Sequence, residues 1–434
     1  MRRAIIPLVA TILFGATASA QVPDSIPTPR ADSLAGLYQD TSGDYVHLMN
    51  LADQLGGRSV LSLTQYATGM VRALYPVDRT HFELGPAWFE RTPVEGGVEI
   101  SGDTLIIIGA SGARRIVATR VPLEKRDVRV ASGGVTLAGV LTLPAGPGPH
   151  PAMLMIQGSG PLTRRAPGQT GDLIAAHGVA VLTLDKRGTG GSSGDWSGLS
   201  HEAWIADAGA ALDALKREPG IDSTQVGIYA ASEGGFVGPE LAARRQDVSF
   251  LVCRVCSALP HAEAIMDMEE RRLLAAGRAA DVAAEAREWL RLRTAYALGR
   301  QGFERMAAFE ARTSAAEWRE DFPPGAAALP RPDAAYWDVY AGVLAGDPAR
   351  AYRALKIPVL VVLGGDDQRI LAGRNEPVFA EIAHNARDMT VMVVPGASHG
   401  LLVMNVDGAV GYPPGLYREI VDWIVARTGS SRTN

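Results

Sequence analysis

The chain is poor in cysteine, with two residues in 434, Cys253 and Cys256. That excludes a disulfide framework and a four-cysteine zinc site. It also lacks any excess of positive charge: 42 Lys and Arg stand against 47 Asp and Glu, for a formal charge of −5. No basic field is available to draw in nucleic acid. Past the N-terminal segment there is no run of about eighteen apolar residues, so nothing there reads as a membrane span. Internal repeats and low-complexity tails are absent, apart from a short polar C-terminus. What remains is ordinary for a globular chain. Hydrophobic residues make up 47% and charged residues 21%, which excludes a disordered or collagen-like polypeptide despite 48 glycines and 27 prolines. The length allows two or three domains.

Residues 1–20 read as a signal peptide. Met1-Arg2-Arg3 supplies a positive start, Ala4 to Gly15 an apolar run too short to span a bilayer comfortably, and Ala18-Ser19-Ala20 the small-x-small pattern before a cleavage site. Cleavage would leave Gln21 first and take the formal charge from −5 to −7, through loss of Arg2 and Arg3. The alternative is an uncleaved anchor; a lipoprotein form is excluded because no cysteine follows. The expectation is an exported protein, periplasmic or secreted, with no stable membrane insertion after cleavage.

Residues 21–125 have a short β rhythm. Leu61 to Thr64, Phe82 to Leu84, Glu99-Ile100, Thr104 to Ile108 and Arg115 to Val121 are separated by glycine-containing turns. This predicts a small β-rich accessory domain, an antiparallel sheet or a barrel. Its isolated His47 and His81 read as structural or solvated. Residues 126–430 change character. Apolar runs at 152–156, 179–185, 226–229, 250–257, 359–363 and 389–394 alternate with helical segments, which predicts an α/β domain built on a parallel sheet covered on both faces. A stretch of Ala, Arg, Glu and Leu with helical periodicity, about 260–355, interrupts this rhythm and is too long for a loop. It predicts a helical cap.

Three motifs carry chemistry. In Gly227-Ile228-Tyr229-Ala230-Ala231-Ser232-Glu233-Gly234-Gly235, an apolar strand runs into a serine flanked by small residues that open a helix, the context of a nucleophile elbow. Alone, such a match also fits a helix N-cap. The run 357–363 ends in Gly364-Gly365-Asp366-Asp367, a carboxylate at the strand end where open α/β sheets hold their sites. The next run ends in Pro395-Gly396-Ala397-Ser398-His399-Gly400. Ser232, Asp367 and His399 therefore follow one another in the chain order of a hydrolase triad: nucleophile, orienting acid and general base. Asp366 is the rival acid, with a turn or cap as its other role. Gln157-Gly158-Ser159-Gly160-Pro161 falls where an oxyanion donor is expected, so the backbone N–H groups of Ser159 and Glu233 are the predicted hole. The same stretch also fits a plain Gly-Pro turn.

Other features point away from alternatives. Asp185-Lys186-Arg187-Gly188-Thr189-Gly190 lacks the third glycine of a dinucleotide fingerprint and reads as a structural loop beside the site, with Asp185 and Arg187 as a candidate pair. Cys253 and Cys256 fall in the apolar run, where residues three apart face opposite sides of a strand. They read as buried thiols rather than as a disulfide or metal pair. His261 and Glu263 stand near the cap entrance and could line the pocket. No metal-ligand cluster is evident.

Over about Arg126 to Arg427, Gly158-Ser159-Gly160-Pro161, Asp185-Lys186-Arg187-Gly188 and Ser232-Glu233-Gly234-Gly235 resemble the α/β-hydrolase superfamily. Within it they resemble exported bacterial esterase/lipase-like hydrolases of the dienelactone-hydrolase and serine-aminopeptidase branches. The resemblance implies an α/β-hydrolase fold with a helical cap, a Ser–Asp–His hydrolase and no cofactor. Ala230 and Ala231 depart from the usual elbow, and the N-terminal module lies outside the resemblance. The reading is a carboxylic-ester hydrolase working through an acyl-enzyme on a small-molecule ester. Its alternatives are a peptidase, amidase or thioesterase using the same residues, with short peptides as substrates, or a non-catalytic binding protein on this scaffold.

Overall fold

The computed structural model describes residues 21–429, apart from 113–114, 167, 198, 323–328, 386–387 and 405–409. The signal-peptide expectation, residues 1–20, lies outside the described residues. A short helix α1 (Thr28–Leu34) precedes eight strands: β1 (Gly36–Asp40), β2 (Tyr45–Asn50), β3 (Leu61–Gln65), β4 (Met70–Pro76), β5 (His81–Leu84), β6 (Gly96–Ser101), β7 (Thr104–Gly109) and β8 (Arg115–Arg120). Each pairs antiparallel with the next, and β8 returns to β1, so the sheet closes into a barrel. Closure leaves no free edge among these strands. Val46, Leu48, Leu61, Leu63, Val98, Ile100, Leu105 and Ile107 alternate inward and fill it. Strand β4 has no such alternation because both its faces are covered. Leu74 is in the barrel interior, while Ala73 and Tyr75 pack outside with Leu51, Val60 and Phe89.

A second sheet is formed by β9 (Glu124–Ser132), β10 (Val135–Leu143), β11 (His150–Ile156), β12 (Ala180–Leu184), β13 (Ile221–Ala231), β14 (Leu251–Arg254), β15 (Val359–Gly364) and β16 (Met389–Val394). Its order is β16-β15-β14-β13-β11-β12-β10-β9, with β10 antiparallel to both neighbours and the other pairs parallel. Strand β15 is buried along its whole length, as its unbroken apolar run requires. Helices α2 (Gly168–Ala176), α3 (His201–Arg217) and α4 (Gly234–Arg244) follow β11, β12 and β13. Between β14 and β15 stand α5 (His261–Ala275), α6 (Ala280–Gly299), α7 (Phe303–Arg312), α8 (Tyr336–Leu344) and α9 (Pro348–Ala354). Most of this insertion forms a cap with its own core around Trp289, Trp318 and Trp337. Then come α10 (Ala372–Asn385), a hairpin of β17 (Val403–Met404) and β18 (Val410–Gly411), and α11 (Leu416–Arg427).

One face of the second sheet packs on α3, α4, α9 and α10, the other on α2 and α11. The barrel sits against the α2/α11 face. Leu37 of β1 joins that apolar cluster, and the Tyr66 and Tyr417 rings meet edge-on at 5.5 Å. The buried His47 stands 3.8 Å from Asp172 at the same interface, whereas His81 is an exposed partner of Asp78. The hairpin extends the barrel by pairing Gly411 with Met70.

That pairing depends on Gly69. Its φ is +73°, and a Cβ there would lie 1.8 Å from the Tyr412 carbonyl oxygen. Gly69→Ala is expected to lose roughly 2–4 kcal/mol. Urea unfolding checks this, and an unchanged midpoint would show that the junction does not hold the barrel.

Candidate active site

Strand β13 delivers Ser232 into a tight turn. Its φ is +53°, a left-handed conformation that costs a non-glycine residue about 1–3 kcal/mol and persists only when the surroundings hold it. They do. Ser232 N donates to Arg254 O at 3.0 Å, and Gly235 N donates back to Ser232 O at 2.8 Å. Helix α4 then runs so close to the sheet that a Cβ on Gly234 would lie 2.6 Å from the carbonyl oxygens of Ile156 and Gln157. Ala230, the departure noted in the sequence, fits because its methyl faces Gly238 of α4; a Cβ there would approach it to 2.7 Å. The space a glycine would leave on the strand is left on the helix instead.

The loops after β15 and β16 meet this turn. Ser232 Oγ lies 2.9 Å from His399 Nε2, and His399 Nδ1 lies 2.8 Å from Asp367 Oδ2. Asp367 is fully buried, and its Oδ1 accepts from the Arg369 and Ile370 backbone N–H groups at 2.7 and 3.0 Å. Its second oxygen is thereby left to the imidazole. Asp366 is exposed, and its backbone N donates to Ala397 O, which stitches the two loops together. With Nδ1–H donated to Asp367, Nε2 is the free acceptor facing the serine hydroxyl, the state needed to take its proton.

The loop after β11 lies over Ser232: a Cβ on Gly158 would stand 3.1 Å from Ser232 Cβ. Ser159 N and Glu233 N make no hydrogen bond to another group among the described residues. Lys186, missed as a functional residue in the sequence, sits beneath. Its Nζ donates to the Gly158 carbonyl, stands 4.2 Å from the centre of the Trp204 ring and reaches Glu233 Oε2 at 4.0 Å. Burial pulls its ammonium down to about 8, against the upward pull of Glu233. A lysine next to the Gly-rich loop signal carried no periodicity to expose it.

Ser159, Ser232, Glu233, Phe236, His261, Ala264, Ile265, Met268, Arg369, Ile370 and His399 line a half-open cavity of about 50 Å³. His261 stacks on Phe236 at 4.1 Å and burial lowers its pKa, whereas Glu263 is outside this lining and pairs with Arg374. No group of three or more His, Cys, Asp or Glu that could hold a metal ion occurs among the described residues.

Two expectations are corrected. Asp185 and Arg187 do not pair with each other. Asp185 binds Arg164 and Gly191 N, because the chain turns back at Gly190 onto its carboxylate, while Arg187 binds Asp207 of α3. The strand carrying the cysteines ends at Arg254. Val255 takes φ +49°, so strand alternation fails, and both free, buried thiols fall in one apolar cluster, with the Tyr352 hydroxyl 2.7 Å from Cys253 Sγ.

Residues 171–410 match the family model described as the alpha/beta hydrolase family. The chain is 32% identical to esterase FrsA of an Enterobacter species over 134 residues, covering 31% of this chain and 32% of that protein. It is 25% identical to esterase EstD of Thermotoga maritima over 285 residues, covering 64% and 60%. The chain thus spans about a third and three fifths of the length of these relatives. Among solved structures, a 2,6-dihydroxy-pseudo-oxynicotine hydrolase superposes with a TM-score of 0.44 at 15% identity, over 72% of this chain and 71% of that one. The barrel strands precede the matched segment.

Two predictions follow from the packing of this site. Gly238→Ala alone is expected to destabilise by about 1–3 kcal/mol through overpacking, and Ala230→Gly in the same chain to recover most of it. Double-mutant denaturation checks the coupling. For Lys186, the folded pKa of about 8 lies below the ordinary 10.5. Between those values the unfolded state holds the extra proton, so this group makes stability rise with pH. Lys186→Met removes the contribution. The wild type's unfolding midpoint should therefore gain on the variant's from pH 8 to 10.

Proposed function

Because this chain belongs to the α/β-hydrolase family, we propose that it is a serine esterase in which Ser232 is the nucleophile, His399 the general base and acid, and Asp367 the group that orients His399. The observation that carries this reading is the hydrogen-bonded line Ser232–His399–Asp367 at a left-handed turn. His399 Nε2 takes the hydroxyl proton as Ser232 Oγ attacks the acyl carbon. The carbonyl oxygen becomes an oxyanion facing the N–H groups of Ser159 and Glu233, where each donor contributes about 3–4 kcal/mol. Collapse expels the alcohol, which receives its proton from His399. Water then attacks the acyl-enzyme, giving a proton to His399, which returns it to Ser232 Oγ as the acid leaves. Asp367, hydrogen-bonded to Nδ1, stabilises the imidazolium formed twice in the cycle.

The small cavity favours short acyl groups, since α5 supplies Ala264, Ile265 and Met268 as a wall close to the nucleophile. A second reading, hydrolysis of short peptides or aminoacyl amides, is favoured by Glu233 and Arg369 in the same lining, which could grip charged ends. The reading also includes export, resting on the Met1–Ala20 pattern. Expression with the native N-terminus should yield a chain starting at Gln21, and a mass retaining Met1 would refute it.

The decisive experiment is hydrolysis of p-nitrophenyl esters from acetate to palmitate by the chain and its Ser232→Ala variant. Turnover should fall at least about 10⁴-fold in the variant and should peak at acetate or butyrate. Undiminished turnover in the variant would reject the assignment of the nucleophile. Inert esters alongside cleaved aminoacyl p-nitroanilides would favour the second reading.

A further inference from the structure

We propose that the N-terminal barrel is part of the catalytic apparatus, with Asp53 as a positioning residue that sets the loop bearing the Ser159 oxyanion donor. This rests on the esterase reading above and adds to it a role for the barrel.

The loop between β11 and α2 is tethered on two sides by alternate residues. On the sheet side, Leu162 O accepts from Lys186 N at 3.2 Å and from Thr189 Oγ1 at 3.0 Å, and Arg164 pairs with Asp185. On the barrel side, Thr163 gives both its N–H and its hydroxyl to Asp53 Oδ2, at 2.9 and 2.8 Å. Arg165 pairs with Asp32, which also accepts from Asn50 Nδ2 at 2.9 Å. The segment is a turn closed by Ala166 N donating to Thr163 O at 3.0 Å, and in this turn four successive residues are gripped from both domains at once.

Asp53 is suited to fix a position rather than merely to join surfaces. It lies just after β2, where Asn50 Oδ1 accepts from Ala52 N at 3.1 Å and ties the turn back. Its carboxylate takes a main-chain N–H of the loop, so it sets the backbone itself, and such charge-assisted bonds are short and directional. Arg165–Asp32 is a weaker tether, because both partners are about two-fifths exposed. Only Gly160 and Pro161 separate Ser159 from the tethered Leu162, and Gln157 Nε2 links the near end to Thr163 O at 2.6 Å. A shift at Thr163 therefore reaches the Ser159 N–H within three residues. Misplacing a transition-state group by about 1 Å can cost on the order of 10²-fold in rate.

The barrel also holds the other side of the site. The hairpin that begins four residues after His399 pairs with β4, and Tyr412 N donates to Gly69 O at 2.8 Å. Both the oxyanion loop and the chain leaving the histidine are thus docked on one closed barrel.

The test uses the full chain and Asp53→Ala, Asp53→Asn and Thr163→Val, with p-nitrophenyl butyrate as substrate. A short-chain alkyl trifluoromethyl ketone serves as the inhibitor, because its tetrahedral adduct needs the oxyanion donors. For Asp53→Ala, kcat should fall about 10–100-fold, inhibitor affinity should fall by a similar factor, and KM should stay within about threefold. Asp53→Asn keeps an oxygen that can accept both bonds and should recover most of the loss. Thr163→Val keeps the N–H bond and should fall between, which also serves if Asp53→Ala does not fold. The inference is overturned if kcat and inhibitor affinity stay within threefold in folded variants, if kcat falls with inhibitor affinity unchanged, or if only the melting temperature moves. If Ser232→Ala remained active the esterase reading would fail and this inference with it; a Ser232-dependent enzyme indifferent to Asp53 would overturn this inference alone.

Discussion

The site depends on one constraint: Ser232 must be held in a left-handed turn while helix α4 starts almost in contact with the ends of β11 and β13. That contact leaves no room for side chains at the crossing. Gly234 lies against the Ile156 and Gln157 carbonyls, Gly235 against Cys256, and Gly238 against Ala230. Ser232 keeps this conformation because it is pinned by backbone hydrogen bonds on both sides. Loosening the crossing would let Ser232 relax towards an ordinary conformation and swing its hydroxyl away from His399.

Around that turn, one residue serves two loops. Arg254 gives its carbonyl to Ser232 N and its Nη2 to Gly400 O at 2.7 Å, so the end of β14 fixes both the nucleophile turn and the histidine loop. The acid loop is fastened to the histidine loop through Gly365 N–Val394 O and Asp366 N–Ala397 O. Geometry between Ser232, His399 and Asp367 thus rests on main-chain contacts between strand ends, which tolerate little side-chain change.

Much of this could be read from the sequence, and the limits are physical. The apolar strands and the motifs after them were legible because a strand buried on both faces is a continuous apolar run, and because chemistry at strand ends leaves small residues around Ser232, Asp367 and His399. The barrel was legible only in part. Strands β1, β2 and β4 escaped notice; in β4 the buried Arg72, bonded to Gly85 O, interrupts the apolar run, and β2 turns His47 towards Asp172 at the interface. Arg164 and Asp207, the partners of Asp185 and Arg187, lie about twenty residues away along the chain, and the turn between the cysteines depends on a left-handed Val255; hydrophobic pattern reveals neither. Contacts such as Thr163–Asp53 and Lys186–Gly158 join residues distant in sequence and carry no local signature.

The cap shows why the shape of the pocket was the least legible property. Its interior is settled by its own contacts. Glu310 is buried with Arg319 at 3.0 Å and accepts from Trp289 Nε1 at 2.8 Å, and the Arg293 guanidinium lies 4.8 Å from the centre of the Trp289 ring. A buried charge paired in this way specifies an arrangement more than it adds stability. The cap is fixed to the sheet domain through Asp267 and Glu263, which both reach Arg374 on α10. Those anchors determine where α5 stands, and α5 places Ala264, Ile265 and Met268 against the nucleophile. The size of the pocket is therefore set jointly by packing inside the cap and ion pairs at its base, which are separate from the motifs around Ser232, Asp367 and His399. A change at Asp267 or Arg374 would alter the shape of the pocket while leaving Ser232, His399 and Asp367 in place.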